Sequence, residues 1–131
     1  MTTVAAETAT TVAADTATGG TVRVEVLADR AWAPVCDLEQ LVPGRGVAAL
    51  LPDGRQAAVF RDHLGRIHAI ANRDPFTGAY VLSRGLLGST PDGRVYVASP
   101  LLKQRFDLVT GECLDDPSVR IGVHGTRLSA A

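Results

Sequence analysis

The sequence predicts an all-β domain, an antiparallel sandwich or barrel of short strands, and three observations carry that prediction. Apolar and polar residues alternate over short runs, as in Val22, Val24 and Val26 against Arg23 and Glu25, the period-two pattern of a half-buried strand. Clusters of Gly, Pro and Asp recur between such runs, at residues 52–55, 62–66, 90–93 and 110–111, and these are hairpin and turn chemistry. No segment carries a long apolar stripe of helical period. With 13 glycines and only 5% aromatic residues, the composition also suits short strands and tight turns better than a helical bundle.

Residues 1–20 read as a disordered Thr/Ala-rich tail and residues 21–131 as one domain. The tail holds a near-duplication, Thr2–Ala9 followed by Thr10–Ala17, and ends at Gly19-Gly20; it is too short and too poor in large apolar groups to bury a core. The first strand follows from Thr21, and Trp32 to Val35 reads as a second. Asp37 to Leu41 reads as a short helical or turn segment stopped by Pro43-Gly44. Gly46–Leu51 and Gln56–Arg61 flank the Pro52–Arg55 turn, and the chain turns again around Asp62–Arg66 before running to Ala71. Ala79 to Gly88 shows no clear strand alternation. Thr90–Gly93 turns the chain into a strand at Arg94–Ser99. Phe106-Asp107-Leu108 then enters the Thr110-Gly111 turn and returns through Glu112–Leu114. Asp115-Asp116-Pro117 breaks the ladder before a strand at Val119–Val123, and a last short strand is expected at Thr126–Leu128.

Charge and composition exclude several classes of function. The net charge of -1 and the lack of any basic run give no electrostatic footprint for nucleic acid. No apolar stretch approaches the ~20 residues of a membrane helix, and the N-terminus has no basic, apolar secretory leader. A cytoplasmic protein is expected, with Cys36 and Cys113 as free, half-buried thiols. His63, His68 and His124 read as solvated residues at strand ends. Ser83 and Ser99 have no identifiable base, so hydrolase chemistry is not expected.

The most informative segments are Asn72-Arg73-Asp74-Pro75-Phe76-Thr77-Gly78-Ala79 and Ser99-Pro100-Leu101-Leu102-Lys103-Gln104-Arg105-Phe106-Asp107. They resemble the two cluster-holding loops of a Rieske iron–sulfur domain, roughly Asn-x-Cys-Pro-His-x-Gly-Ala and Cys-Pro-x-His-x-x-x-Phe-Asp. In that alignment Asp74 and Ser99 stand where the cysteines would be, and Phe76 and Leu102 where the histidines would be. A Rieske centre needs two thiolates on one iron and two imidazoles on the other; a carboxylate, a hydroxyl and two apolar side chains are the wrong donors. The cysteines and histidines elsewhere are scattered, without the paired spacing of a zinc site. The chain therefore keeps the frame and loses the ligands.

Four ordered segments narrow the resemblance. Asn72–Phe76, Leu82–Gly85, Ser99–Gln104 and Cys113–Pro117 are similar to the small subunit of assimilatory NAD(P)H-dependent nitrite reductase, a ligand-free branch of the Rieske-like fold. The resemblance implies an antiparallel β fold with a small loop-bearing subdomain and no cofactor on this chain. It implies a large-subunit partner carrying sirohaem, an iron–sulfur cluster and FAD, and a non-catalytic role in reducing nitrite to ammonium. In place of the cluster, Asp74 and Ser99 are expected to hydrogen bond across the gap, with Phe76 and Leu102 packing on each other or on a partner. Arg73, Phe76, Leu101, Leu102, Lys103 and Arg105 read equally as a docking tip and as residues that pin the loops. A free-standing Rieske-like adaptor and a Rieske ferredoxin electron carrier are the rival readings, and the missing ligands argue against the second.

Overall fold

The structure is a computed structural model and describes residues 22–130. It holds ten strands among those residues, with two single-turn 3₁₀ segments. β1 (Val22–Ala28), β2 (Ala31–Asp37) and β10 (Thr126–Ala130) form one antiparallel sheet in the order β10-β1-β2. β3 (Gly46–Leu50), β4 (Gln56–Arg61), β5 (Ile67–Ala71) and β9 (Val123–His124) form a second sheet in that order. β6 (Leu86–Ser89), β7 (Val95–Ala98) and β8 (Arg105–Asp107) form the third. The all-β expectation holds.

The middle sheet lies between two cores, and β4 shows why. Its run Ala57-Ala58-Val59-Phe60 is fully buried, and successive strand side chains point to opposite faces. Ala57 and Val59 enter one cluster with Val24, Val26, Val35 and Leu41. Ala58 and Phe60 enter the other with Ile70, Leu82, Val97 and Phe106. A strand covered on both faces shows no polar alternation, so a continuous apolar run is the expected signature. The small pairs Ala48↔Ala58 and Ala49↔Ala57 across β3 and β4 let the layers approach closely.

The hairpins fall where turn chemistry put them. Gly54 and Gly65 take φ of 88° and 85° in the β3–β4 and β4–β5 turns, a conformation that costs glycine least. Leu38–Gln40 forms the expected short turn, with Asp37 and Gln40 as a capping box. Two expectations fail. Leu86–Ser89 is a strand, β6, paired with β7; its alternation is hidden because Leu86 is 78% exposed and Gly88 opens space for the Tyr96 ring. Of the expected strand Val119–Val123 only Val123 is in one, as the first residue of β9; before it a single bridge joins Glu112 and Arg120. Backbone bonds from Cys113 to Val119 and from Ile121 to Gly111 take up the ladder positions there.

Four polar or thiol residues differ from expectation as well. His68 is not solvated: its Nε2 lies 2.9 Å from Asp62 Oδ2, with a side chain only 10% exposed. His124 is half-buried beside β5. Cys36 and Cys113 are free and fully buried rather than half-buried, and burial pushes the Cys36 thiol up to about 12. The Thr/Ala-rich tail lies outside the described residues.

Candidate functional site

Two loops at one end of the β6-β7-β8 sheet form the site. Loop 1 runs from β5 to the 3₁₀ segment at Leu82–Arg84, and loop 2 joins β7 to β8. Asn72, fully buried, anchors loop 1: its Nδ2 donates to Gln56 Oε1 and its Oδ1 accepts from the Ser83 amide at 2.8 Å. The Asp74 amide donates to the Ala79 carbonyl and the Gly78 amide to the Asp74 carbonyl, with Gly78 at φ 80°. Loop 2 closes in the same way, from the Ser99 amide to Gln104 and from the Lys103 amide back to Ser99. Lys103 closes it in the left-handed region at φ 66°, which is costly for a residue with a Cβ.

A buried hydrogen bond ties the loops together. Ser99 Oγ donates to Asp74 Oδ2 at 2.5 Å, and the two residues are 1% and 0% exposed. The other carboxylate oxygen accepts from the Phe76 amide at 2.8 Å. The short O–H···O⁻ geometry marks a charge-assisted bond, and a buried carboxylate requires such partners. The cross-gap bond expected from the sequence is present.

The six remaining positions divide between core and surface. Phe76 is half-buried and packs on Phe106, with centroids 6.2 Å apart and the rings tilted by 43°. Its partner is therefore the core ring rather than Leu102. Leu101 and Leu102 are 49% and 55% exposed, and Arg73 on loop 1 and Lys103 on loop 2 are exposed as well. Arg105 is engaged: it pairs with Asp115 at 2.8 Å and lies 5.5 Å above the Tyr96 ring. The exposed set is thus Arg73, Leu101, Leu102 and Lys103, and the pinned set is Phe76 and Arg105.

Sequence reasoning missed a feature beside loop 1. A cavity of about 430 Å³ opens between Arg55, Gln56, Arg73, Tyr80, Gly122 and His124. Burial, and then the Arg55 charge, holds the His124 imidazole below its usual pKa. These residues come from four separate segments, and no local spacing announces their meeting.

Comparison with known proteins decides the family. The Rieske-like 2Fe–2S domain family matches residues 31–131. The chain belongs to that family, in its nitrite reductase small-subunit branch. The NADH nitrite reductase small subunit of Salmonella typhimurium is 43% identical over 98 residues, which cover 74% of this chain and 89% of that protein. A crystal structure assigned to an NADH-dependent nitrite reductase small subunit of Mycobacterium tuberculosis matches with 46% identity and a TM-score of 0.64. It covers 72% of this chain and 90% of that one. A segment making up 9% of the NAD(P)H nitrite reductase large subunit of Klebsiella oxytoca is 42% identical over 89 residues.

The family description includes an iron–sulfur cluster, and the residues here do not fit one. At the four ligand positions stand one carboxylate, one hydroxyl and two carbon side chains, where soft thiolates and imidazoles are required. The carboxylate and hydroxyl already satisfy each other where the inner iron ligands would converge. Among the described residues, no group of three or more His, Cys, Asp and Glu side chains is placed to hold a metal ion.

Proposed function

We propose that the chain is a cluster-free, non-catalytic small subunit of a cytoplasmic NAD(P)H-dependent nitrite reductase, docking on a large subunit that carries sirohaem, an iron–sulfur cluster and FAD. The observation that carries the reading is the Asp74–Ser99 bond, which fills the cluster position with a structural link while the family membership is retained. The Klebsiella large subunit, which contains a homologous segment in the same polypeptide, supports a large-subunit partner: two modules fused in one protein are natural neighbours as separate ones.

Docking falls to the loop tip. Leu101 and Leu102 form an apolar centre, and Arg73 and Lys103 a charged rim, the plan of a protein interface. Neither loop exposes an acidic residue, since Asp74 is buried, so the tip suits an acidic, apolar partner face. Phe76 and Arg105 serve by holding the loops in shape.

The test is to isolate the chain with its partner under gentle conditions and assay NAD(P)H-dependent nitrite reduction with and without it, alongside iron and sulfide analysis of the separated chain. The expected result is a large sirohaem-containing partner, an iron-free small chain, and activity that falls on its removal. Stoichiometric iron and sulfide on the chain would restore the electron-carrier reading. A different partner without nitrite reduction would favour a free-standing adaptor.

A further inference from the structure

The cavity beside loop 1 has the chemistry of an anion site. At about 430 Å³ it lies within the ~300–1,000 Å³ typical of ligand pockets. Arg55 brings a positive charge that Asp53 matches at 2.7 Å. Arg73 is different: no ion pair among the described residues involves it. Its guanidinium lies across the loop, with Nη2 3.1 Å from where a Cβ on Gly78 would stand. Gly122 leaves the wall open, because a Cβ there would meet nothing within 4 Å. Tyr80, 48% exposed, and the half-buried His124 add polar groups to the lining. The guanidinium fork matches a carboxylate in geometry and charge.

We propose that this cavity receives a carboxylate side chain, an aspartate or glutamate presented by the large-subunit partner, with Arg73 as its charged anchor. The proposal rests on the docking reading and specifies its chemistry. Two observations favour a side chain over a free acid. The cavity is far roomier than a lone carboxylate group requires, leaving space for the segment that carries it. Arg73 also sits next to Asp74, whose bond to Ser99 ties its loop to the one that exposes Leu101, Leu102 and Lys103, so one partner face engages both.

The experiment has two arms. The isolated chain is titrated with acetate against chloride at constant ionic strength, and NMR reads the Arg73 guanidinium and the Tyr80 and His124 rings. Saturable acetate-specific shifts are expected, together with a rise in the His124 pKa as a negative charge arrives beside it. Arg73→Gln should abolish both with an unchanged melting temperature. In the second arm, Arg73→Gln should bind the large subunit about tenfold more weakly, the scale of truncating a partly desolvated charge pair. Absence of acetate-specific shifts overturns the site. Acetate binding with unchanged large-subunit affinity in Arg73→Gln assigns the cavity to a free carboxylate and overturns the partner assignment. If the wild-type chain does not bind the large subunit, the docking reading fails, while the acetate arm still reports on the cavity itself.

Discussion

Substituting Ser99 by Ala isolates the bond that replaces the cluster. The change removes one oxygen from a site 1% exposed and leaves Asp74 Oδ2, in a residue 0% exposed, without its donor. A hydrogen bond to a charged group contributes about 1.5–3 kcal/mol net, and stranding its buried acceptor costs toward the upper end of that range. Asp74→Ala should cost more, about 3–4 kcal/mol, because it also strands the Ser99 hydroxyl and the Phe76 amide. The double mutant should be little worse than Asp74→Ala alone, giving a coupling of about 1.5–3 kcal/mol in a double-mutant cycle. Urea unfolding followed by Trp32, the only tryptophan, measures all three variants. Amide exchange at Phe76 and Leu101 then shows whether the loops open, since the Leu101 amide also donates to Ser99 Oγ at 3.3 Å. A melting temperature lowered by roughly 7–10 °C accompanies a loss of ~2 kcal/mol in a domain of this size. Additive effects with coupling below about 0.5 kcal/mol would refute the claim that the bond holds the loops together.

Asp62 gives a pH prediction. Burial alone would raise its pKa, but bonds from His68, from the Arg66 backbone and side chain and from the Leu64 amide outweigh it and set it to about 2. A depressed carboxylate contributes stability above its unfolded pKa of ~3.9 that is lost as pH falls through about 2, here about 2 kcal/mol. The stability gap between wild type and Asp62→Asn should therefore be full at pH 6 and shrink by pH 2.5 in urea melts; a constant gap contradicts the account. Arg127→Met should cost about 1–2 kcal/mol, since Arg127 pairs with Glu25 at 2.5 Å and lies 4.4 Å above the Trp32 ring; a neutral effect in the same melts would deny that contact any weight. Gly54→Ala should cost only its left-handed strain, ~1 kcal/mol. Gly111→Ala should cost well over 2 kcal/mol, because its Cβ would lie 2.1 Å from the Ile121 carbonyl oxygen. Equal losses for the two glycine variants would show that the clash is relieved by movement. Lys103→Gly removes left-handed strain of ~1 kcal/mol while weakening large-subunit binding, so unchanged or higher stability with lower affinity separates docking from folding.

The turns were legible because their chemistry is local: Gly at a required positive φ, with Asp or Pro before it, marks a hairpin without reference to the rest of the chain. The degenerate loops were legible because a ligand motif keeps its scaffold residues, and Asn72, Gly78 and Phe106 still do scaffold work. β6 was hidden because strand alternation reports burial on one face, and Leu86 and Gly88 sit where burial does not alternate. The Val119–Val123 segment looked like a strand because Val119 and Ile121 are apolar core residues, yet their backbone bonds go to Cys113 and Gly111 and only Val123 joins a sheet. His68 was misread for a related reason. Its partner Asp62 is only six residues away, but nothing in the local spacing marks that both side chains turn inward. The Glu25–Arg127 pair and the Arg73 cavity join segments far apart in the chain, and a single sequence carries no record of such meetings.

The central claim is that loops which hold a cluster elsewhere in this family here hold a partner. The most direct measurement is the affinity of the chain for its large subunit, by titration calorimetry, comparing wild type with a Leu101→Ser, Leu102→Ser variant of unchanged stability. The two leucines are about half exposed, so the free chain loses little when they are replaced. The account predicts at least about tenfold weaker binding, the scale of losing an apolar anchor at an interface. Unchanged affinity would place the interface elsewhere and leave the loops with only a structural role.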